Sequence, residues 1–213
     1  MKILAVGAHY DDIELSAGGT IAKFIKQGHQ ILVIIISSSD YISYDNIILR
    51  TKEEARKEGI QGLITLGIKK DMIINLNYST KNIPFDSEII ENINARIDKF
   101  KPNLIITHHP YAESHQDHIN TSKSVMSASR KYNSIWVFEP LYPSKLSTFP
   151  FKPQKYVDIS HTLSIKINAI KKHITQFKKY PYWKDLICCL ARVRGIEINT
   201  QYAESFEIIK DSL

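Results

Sequence analysis

Two short stretches concentrate the groups that could do chemistry. In Gly7-Ala8-His9-Tyr10-Asp11-Asp12-Ile13-Glu14, one imidazole and three carboxylates fall within six residues, directly after the mostly apolar run Lys2-Ile3-Leu4-Ala5-Val6. In the second, the run Leu104-Ile105-Ile106-Thr107 empties into His108, His109, Glu113, His115, Asp117 and His118. Ionisable groups packed this densely at a strand end are costly to desolvate without a counter-charge, and a divalent metal supplies one. His9-x-x-Asp12 and His115-x-Asp117-His118 can together furnish two histidines and a carboxylate. Three protein ligands with a fourth position open to water are the pattern of a catalytic zinc, whereas structural zinc is closed by four. Alone, His9 reads as a capping or core histidine, and Asp11 or Asp12 as a helix N-cap. A second histidine-rich strand end weakens those readings, because strand ends in a parallel sheet share one edge.

The elements that must position these groups alternate. Strands are expected over 2–6, 30–36, 72–76, 104–107 and 135–138. Helices are expected over about 16–27, 50–66, 87–100 and 119–131, with Gly28 and Gly67 as stops and Gly59 and Gly62 as weak points in the second. This order predicts βαβ units, hence an α/β fold: a single-domain, Rossmann-like, mainly parallel sheet flanked by helices, spanning residues 1–213. Loops are expected at 37–44 and 139–153. A further strand at 155–158, helices at 163–177 and 185–193, and a last edge strand at 206–209 complete the chain.

Composition narrows the class. The 213 residues are 43% hydrophobic and 23% charged, values of an ordinary globular domain. No apolar run reaches the roughly 18 residues of a membrane helix, and the N-terminus lacks a signal-peptide pattern. The expectation is a cytoplasmic protein without membrane insertion. The net charge of +6 comes from dispersed lysines without an aromatic-interleaved stripe or a nucleic-acid motif, so no nucleic-acid partner is expected. Cys188 and Cys189 are adjacent, too few for a thiolate metal site, and read as reduced core residues.

The residues resemble those of the PIG-L/LmbE-like zinc-dependent N-deacetylases. The family signature Ala-His-Pro-Asp-Asp-x-Glu stands here as Ala8-His9-Tyr10-Asp11-Asp12-Ile13-Glu14, followed by Gly18-Gly19-Thr20; His-x-Asp-His stands as His115-Gln116-Asp117-His118. Weaker marks are Arg50 with Glu53 and Glu54, and Lys166, Ala169, His173 and Gln176 in one spaced run. Arg194-Gly195 and Tyr202-Ala203-Glu204-x-Phe206 resemble the bacillithiol-pathway branch. The resemblance implies one zinc ion per chain bound by His9, Asp12 and His118, with Asp11 as general base. It implies His115 on the oxyanion, protonated with the help of Asp117, and an acetylated amino-sugar as small-molecule substrate. It makes Arg50, on a helix start, and Tyr202 substrate contacts; read alone, Arg50 is equally an exposed salt bridge and Tyr202 a core aromatic. Homo-oligomers are common in the family.

Tyr10 departs from the family proline, and either loosens the turn or reaches into the substrate site. Glu14 reads as support for the loop, His108, His109 and Glu113 as spare polar groups of which one could line the pocket, and His29, His161 and His173 as structural, with the Lys166-to-Gln176 run putting His173 near the site. Two rival functions remain open: a metallophosphoesterase, and a non-catalytic Rossmann-like nucleotide-binding module. The second predicts a Gly-x-Gly-x-x-Gly turn after the first strand, which Gly7 to Asp12 lacks.

Overall fold

The computed structural model describes residues 1–43, 45–141 and 149–212; Tyr44 and the middle of the loop expected at 139–153 lie outside them. Its centre is a seven-stranded sheet built from β1 (Lys2–Gly7), β2 (Gln30–Ser37), β5 (Ile73–Tyr78), β6 (Leu104–Thr107), β7 (Ile135–Phe138), β8 (Lys155–Asp158) and β9 (Ala203–Lys210). Their order is β5-β2-β1-β6-β7-β9-β8, parallel from β5 to β7, with β9 antiparallel to both of its neighbours. The chain reverses direction of winding between β1 and β6, so the crevice at their carboxyl ends is the switch point where α/β sheets bind ligands.

The expected mainly parallel α/β architecture is present. Successive residues of one strand serve opposite faces. Ile3, Ala5, Val33 and Ile35 pack with α1 (Asp12–Lys26), α2 (Lys52–Thr65), α5 (Leu163–Ile170) and α7 (Trp183–Glu197). Leu4, Val6, Leu32 and Ile34 pack under Ile89, Ile93 and Ile97 of α3 (Ser87–Phe100) and Val125 of α4 (Gln116–Ala128). Burial on both faces is why these strands read as unbroken apolar runs.

Four expectations change. The stretch at 37–50 is not loop then helix: β3 (Tyr41–Ile42) and β4 (Ile48–Arg50) form a separate antiparallel ribbon, and α2 starts only after it. Thr51 caps α2 in a reciprocal capping box with Glu54, which fixes the boundary. The helix expected at 163–177 is two helices, α5 and α6 (Ile174–Lys179), broken at 171–173. The last strand is interior, since β8 takes the edge. Cys188 is half-buried and Cys189 exposed, both on α7, so neither is a full core residue. Among the described residues no helix is long and apolar enough to cross a membrane.

Candidate active site

Each ionisable cluster runs from the end of its strand into the first turn of the helix that follows. Helix α1 begins at Asp12, not near residue 16, with Asp11 as its N-cap; Asp12 and Glu14 gain from the positive end of the helix dipole. Asp12 folds back so that its Oδ2 accepts the His9 N–H at 2.6 Å. The end of β2 and the residues after it brace this turn: Ser37 Oγ donates to the Ala8 carbonyl at 2.8 Å and Ser39 Oγ accepts the Tyr10 N–H at 3.0 Å. Helix α4 likewise starts earlier than residue 119, with His115 as N-cap and Asp117 and His118 in the first turn.

Where the two ends meet, His9 Nδ1 lies 3.2 Å from His118 Nε2. Asp12 Oδ1 is 3.3 Å from His118 Nε2, and Asp12 Oδ2 is 3.6 Å from His9 Nδ1. A tetrahedral ion bonded at about 2.0–2.2 Å separates its ligand atoms by about 3.3–3.6 Å; the spacings here are of that size, reaching Asp12 through Oδ1 on the His118 side and Oδ2 on the His9 side. The outer nitrogens are tied down: His9 Nε2 is 3.0 Å from Asp117 Oδ2, and His118 Nδ1 is 3.0 Å from Glu113 Oε2. A carboxylate on the far nitrogen orients a metal-ligating imidazole and raises its basicity.

The electrostatics demand positive charge. Burial opposes ionisation of His9, His118 and Asp12, yet the groups overcome it together. Asp12 and Asp117 push His9 up to about 9, Asp12 and Glu113 push His118 up to about 10, and the histidines hold Asp12 well below the usual carboxylate range. Bound protons here supply charge that a divalent cation would supply instead, releasing them. His108 also belongs to the cluster, stacked on His118 at 4.1 Å between ring centroids, with Nε2 3.0 Å from Asp12 and 3.1 Å from the Ala8 N–H. Two donor groups, His9/His115/His118 and Asp12/His108/His118, thus share His118. Glu113 and His108 have roles that the sequence did not disclose, because their loop spacing follows no helical or strand period.

His115 differs from expectation. Its Nδ1 accepts the Asp117 N–H at 3.2 Å, and the Asp117 carboxylate is engaged by His9 and by the N–H groups of Lys81 and Ile83 at 2.7 and 3.2 Å. Burial, then the charges of His118 and His9, lower the His115 pKa to about 4, outweighing Asp117. The ring is neutral near pH 7, where a protonated one was expected.

A cleft of about 390 Å³ opens over these groups, a size suited to a small ligand. His9, Asp11, Asp12, His115 and His118 line its floor; Tyr41, Lys81, Gln176, Lys179 and Tyr180 form part of its walls. Lys179 Nζ stands 3.8 Å from the Tyr41 ring centre and Lys81 Nζ 4.5 Å. Of these wall residues, Gln176 closes the spaced run that begins at Lys166. Arg50 lines the cleft too, but from the end of β4 rather than a helix start. It is 2% exposed and paired with Glu58 and Asp11, not with Glu53 or Glu54.

Two aromatic expectations are corrected. Tyr202 is absent from the cleft lining among the described residues; it packs against the core beside β9, and its N–H donates to Ser160 Oγ. The surrounding motif is architectural: Glu204 pairs with Lys166 at 2.6 Å and accepts the N–H groups of Gly19 and Thr20, which joins the C-terminal mark to Gly18-Gly19-Thr20. Tyr10 does not reach the cleft either. It is 1% exposed and pressed on α2 at Gly59, where an added Cβ would fall 2.2 Å from Tyr10 Cδ1. The bulk that replaces proline is accommodated by a glycine one helix away.

Residues 4–129 match the family model PIG-L, described as GlcNAc-PI de-N-acetylase. The chain is 31% identical to the uncharacterized deacetylase YaiS of Escherichia coli, over 80% of this chain and 89% of that one. It is 24% identical to the diacetylchitobiose deacetylase of Thermococcus kodakarensis, over 98% of this chain and 83% of that one. A hydratase, the 4-carboxy-2-hydroxymuconate hydratase GalB of Pseudomonas putida, superposes with a TM-score of 0.83 at 18% identity, covering 100% of this chain and 97% of its own.

Proposed function

The chain belongs to the PIG-L family, and from that premise we propose that it is a zinc-dependent hydrolase acting on an N-acetylglucosamine-type sugar or sugar conjugate. It removes the N-acetyl group and releases acetate and a free amine. The observation that carries this reading is the 3.2–3.6 Å spacing of His9 Nδ1, Asp12 and His118 Nε2 in a cleft that also holds Asp11. The deacetylases among the relatives support it. The fold alone does not, since a hydratase shares it. We extend the reading to one zinc per chain, a single catalytic domain over residues 1–213, and a cytoplasmic homo-oligomer.

In this mechanism His9, Asp12 and His118 would hold the ion. Zinc, when bound, is a Lewis acid that polarises a carbonyl and lowers the pKa of water towards about 7. Asp11 makes no capping hydrogen bond with its side chain and faces Arg50 with Oδ2 at 3.8 Å; in this reading its carboxylate accepts a proton from the attacking water. Attack on the acetamide carbon moves charge onto the carbonyl oxygen. His115 meets that charge as a neutral donor: with Nδ1 occupied by the Asp117 N–H, the ring proton sits on Nε2. Asp11 then passes its proton to the amide nitrogen as the C–N bond breaks. Asp117 and Glu113 act through the histidines that they orient.

Acetate release by zinc-loaded protein, measured over a panel of N-acetylglucosamine conjugates beside a generic phosphate ester, tests the proposal. The expected result is acetate without phosphate. Phosphate without acetate would replace it with the phosphoesterase reading, and neither product at full zinc occupancy would leave a binding module.

A further inference from the structure

Glu14 closes the first motif, yet the reaction above leaves it without a task. Its side chain and that of His173 are fully buried. They meet across the molecule, with Glu14 on α1 and His173 in the break between α5 and α6. Glu14 Oε1 is 2.9 Å from His173 Nε2, and His173 Nδ1 is 3.2 Å from Arg50 Nη2. Arg50 in turn reaches Glu58 Oε2 at 3.3 Å and Asp11 Oδ2 at 3.8 Å. A guanidinium only donates, so His173 Nδ1 must accept; a neutral ring that accepts there carries its proton on Nε2 and gives it to Glu14. The Glu14 carboxylate thereby selects the tautomer that can hold Arg50.

The surroundings are shaped for this chain of bonds. A Cβ on Gly62 would fall 2.4 Å from Glu14 Oε1 and 2.8 Å from His173 Nε2, so only glycine lets α2 pass over the pair. Buried ionic groups contribute little net stability compared with apolar packing of the same volume. What this one delivers to the cleft is a guanidinium fixed on its wall beside Asp11. We propose that Glu14 and His173 are positioning residues that aim Arg50 at the substrate. The inference rests on the deacetylase reading, with Arg50 taken as the group that meets substrate oxygens.

Two measurements on the full-length, zinc-loaded protein test it. Long-range ¹H–¹⁵N spectra should show His173 neutral, protonated at Nε2 and bare at Nδ1. A cationic ring or the other tautomer overturns the proposal, whether or not any sugar turns over. With the conjugate that gives the fastest acetate release, His173→Leu should raise KM by about tenfold or more, with kcat within about threefold of wild type and zinc affinity unchanged. His173→Gln, whose amide can accept from Arg50 and donate to Glu14, should return KM to within about threefold of wild type. An unchanged KM in His173→Leu, or equal losses in kcat and zinc content in both variants, overturns it. Should the leucine variant not fold, the spectra of the wild type decide. Failure of the wild type to release acetate sinks the deacetylase reading instead, and the spectra still judge the pair.

Discussion

The two strand ends that build the cleft reach the same geometry by different means. The turn after β1 is local: the His9 N–H bonds the Asp12 carboxylate three residues on, and the bracing hydroxyls come from Ser37 at the end of the adjacent strand and Ser39 just past it. The loop after β6 runs over 108–115 and is held from afar. His109 Nε2 lies 3.2 Å from Glu207 on β9, and Ser122 Oγ on α4 donates to the His108 carbonyl at 2.6 Å. Both orienting carboxylates come from the second end: Asp117 reaches across the gap to His9, and Glu113 holds His118 within its own loop. A short turn presents its ligands nearly preformed. A longer loop must be positioned by contacts that substitutions far from the chemistry can remove.

The largest test separates the jobs at the first end. Asp11→Asn should lower kcat by about a thousandfold with zinc retained, whereas Asp12→Asn should lose zinc as well. Metal content and single-turnover acetate release on the same samples decide it; near-normal turnover in Asp11→Asn would end its assignment as base. A smaller effect compares the orienting carboxylates. Asp117→Asn and Glu113→Gln should each weaken zinc binding by about 10- to 100-fold in chelator competition. Unchanged affinity in both would show that the histidines are oriented without them.

Stability offers a finer contrast. Gly59→Ala should destabilise the protein by about 1–3 kcal/mol through overpacking against Tyr10. In a Tyr10→Ala background the same change should cost almost nothing, and a double-mutant cycle from denaturant unfolding measures the difference. Additive costs would mean that Tyr10 is not what requires the glycine. The smallest effect belongs to the second end. Burial lowers the His109 pKa despite Glu207 beside it, so protonation favours the unfolded chain. The contribution of His109 is therefore present above the unfolded value of about 6.5 and lost as pH falls through the lower folded value. His109→Gln should flatten that part of the stability profile, seen in thermal melts between neutral and mildly acidic pH; an unchanged slope would assign it elsewhere.

Much of the fold was legible because the strands are buried on both faces, which writes them as apolar runs such as 31–36. The helix at 87–100 was legible because Ile89, Ile93 and Ile97 face one core. The starts of α1 and α4 were not, because each helix begins inside a cluster of charged residues, where no apolar period marks the boundary. The β3–β4 ribbon was missed because its short strands pair only with each other, and Ile47, Ile48 and Leu49 stay exposed.

For the site, the sequence determined which groups were available and on which two strand ends, because residue type, spacing and strand order are properties of the chain alone. Only the tertiary structure decided who partners whom. It put Asp117 on His9 rather than His115, turned Glu113 from a spare carboxylate into the partner of His118, and left His115 neutral among charged rings. It sent Tyr202 to the core and Tyr10 against Gly59, and joined Glu14 to Arg50 through His173. The reason is physical: a hydrogen bond or a pKa shift depends on distances through space and on burial, and both are set by how helices pack on the sheet.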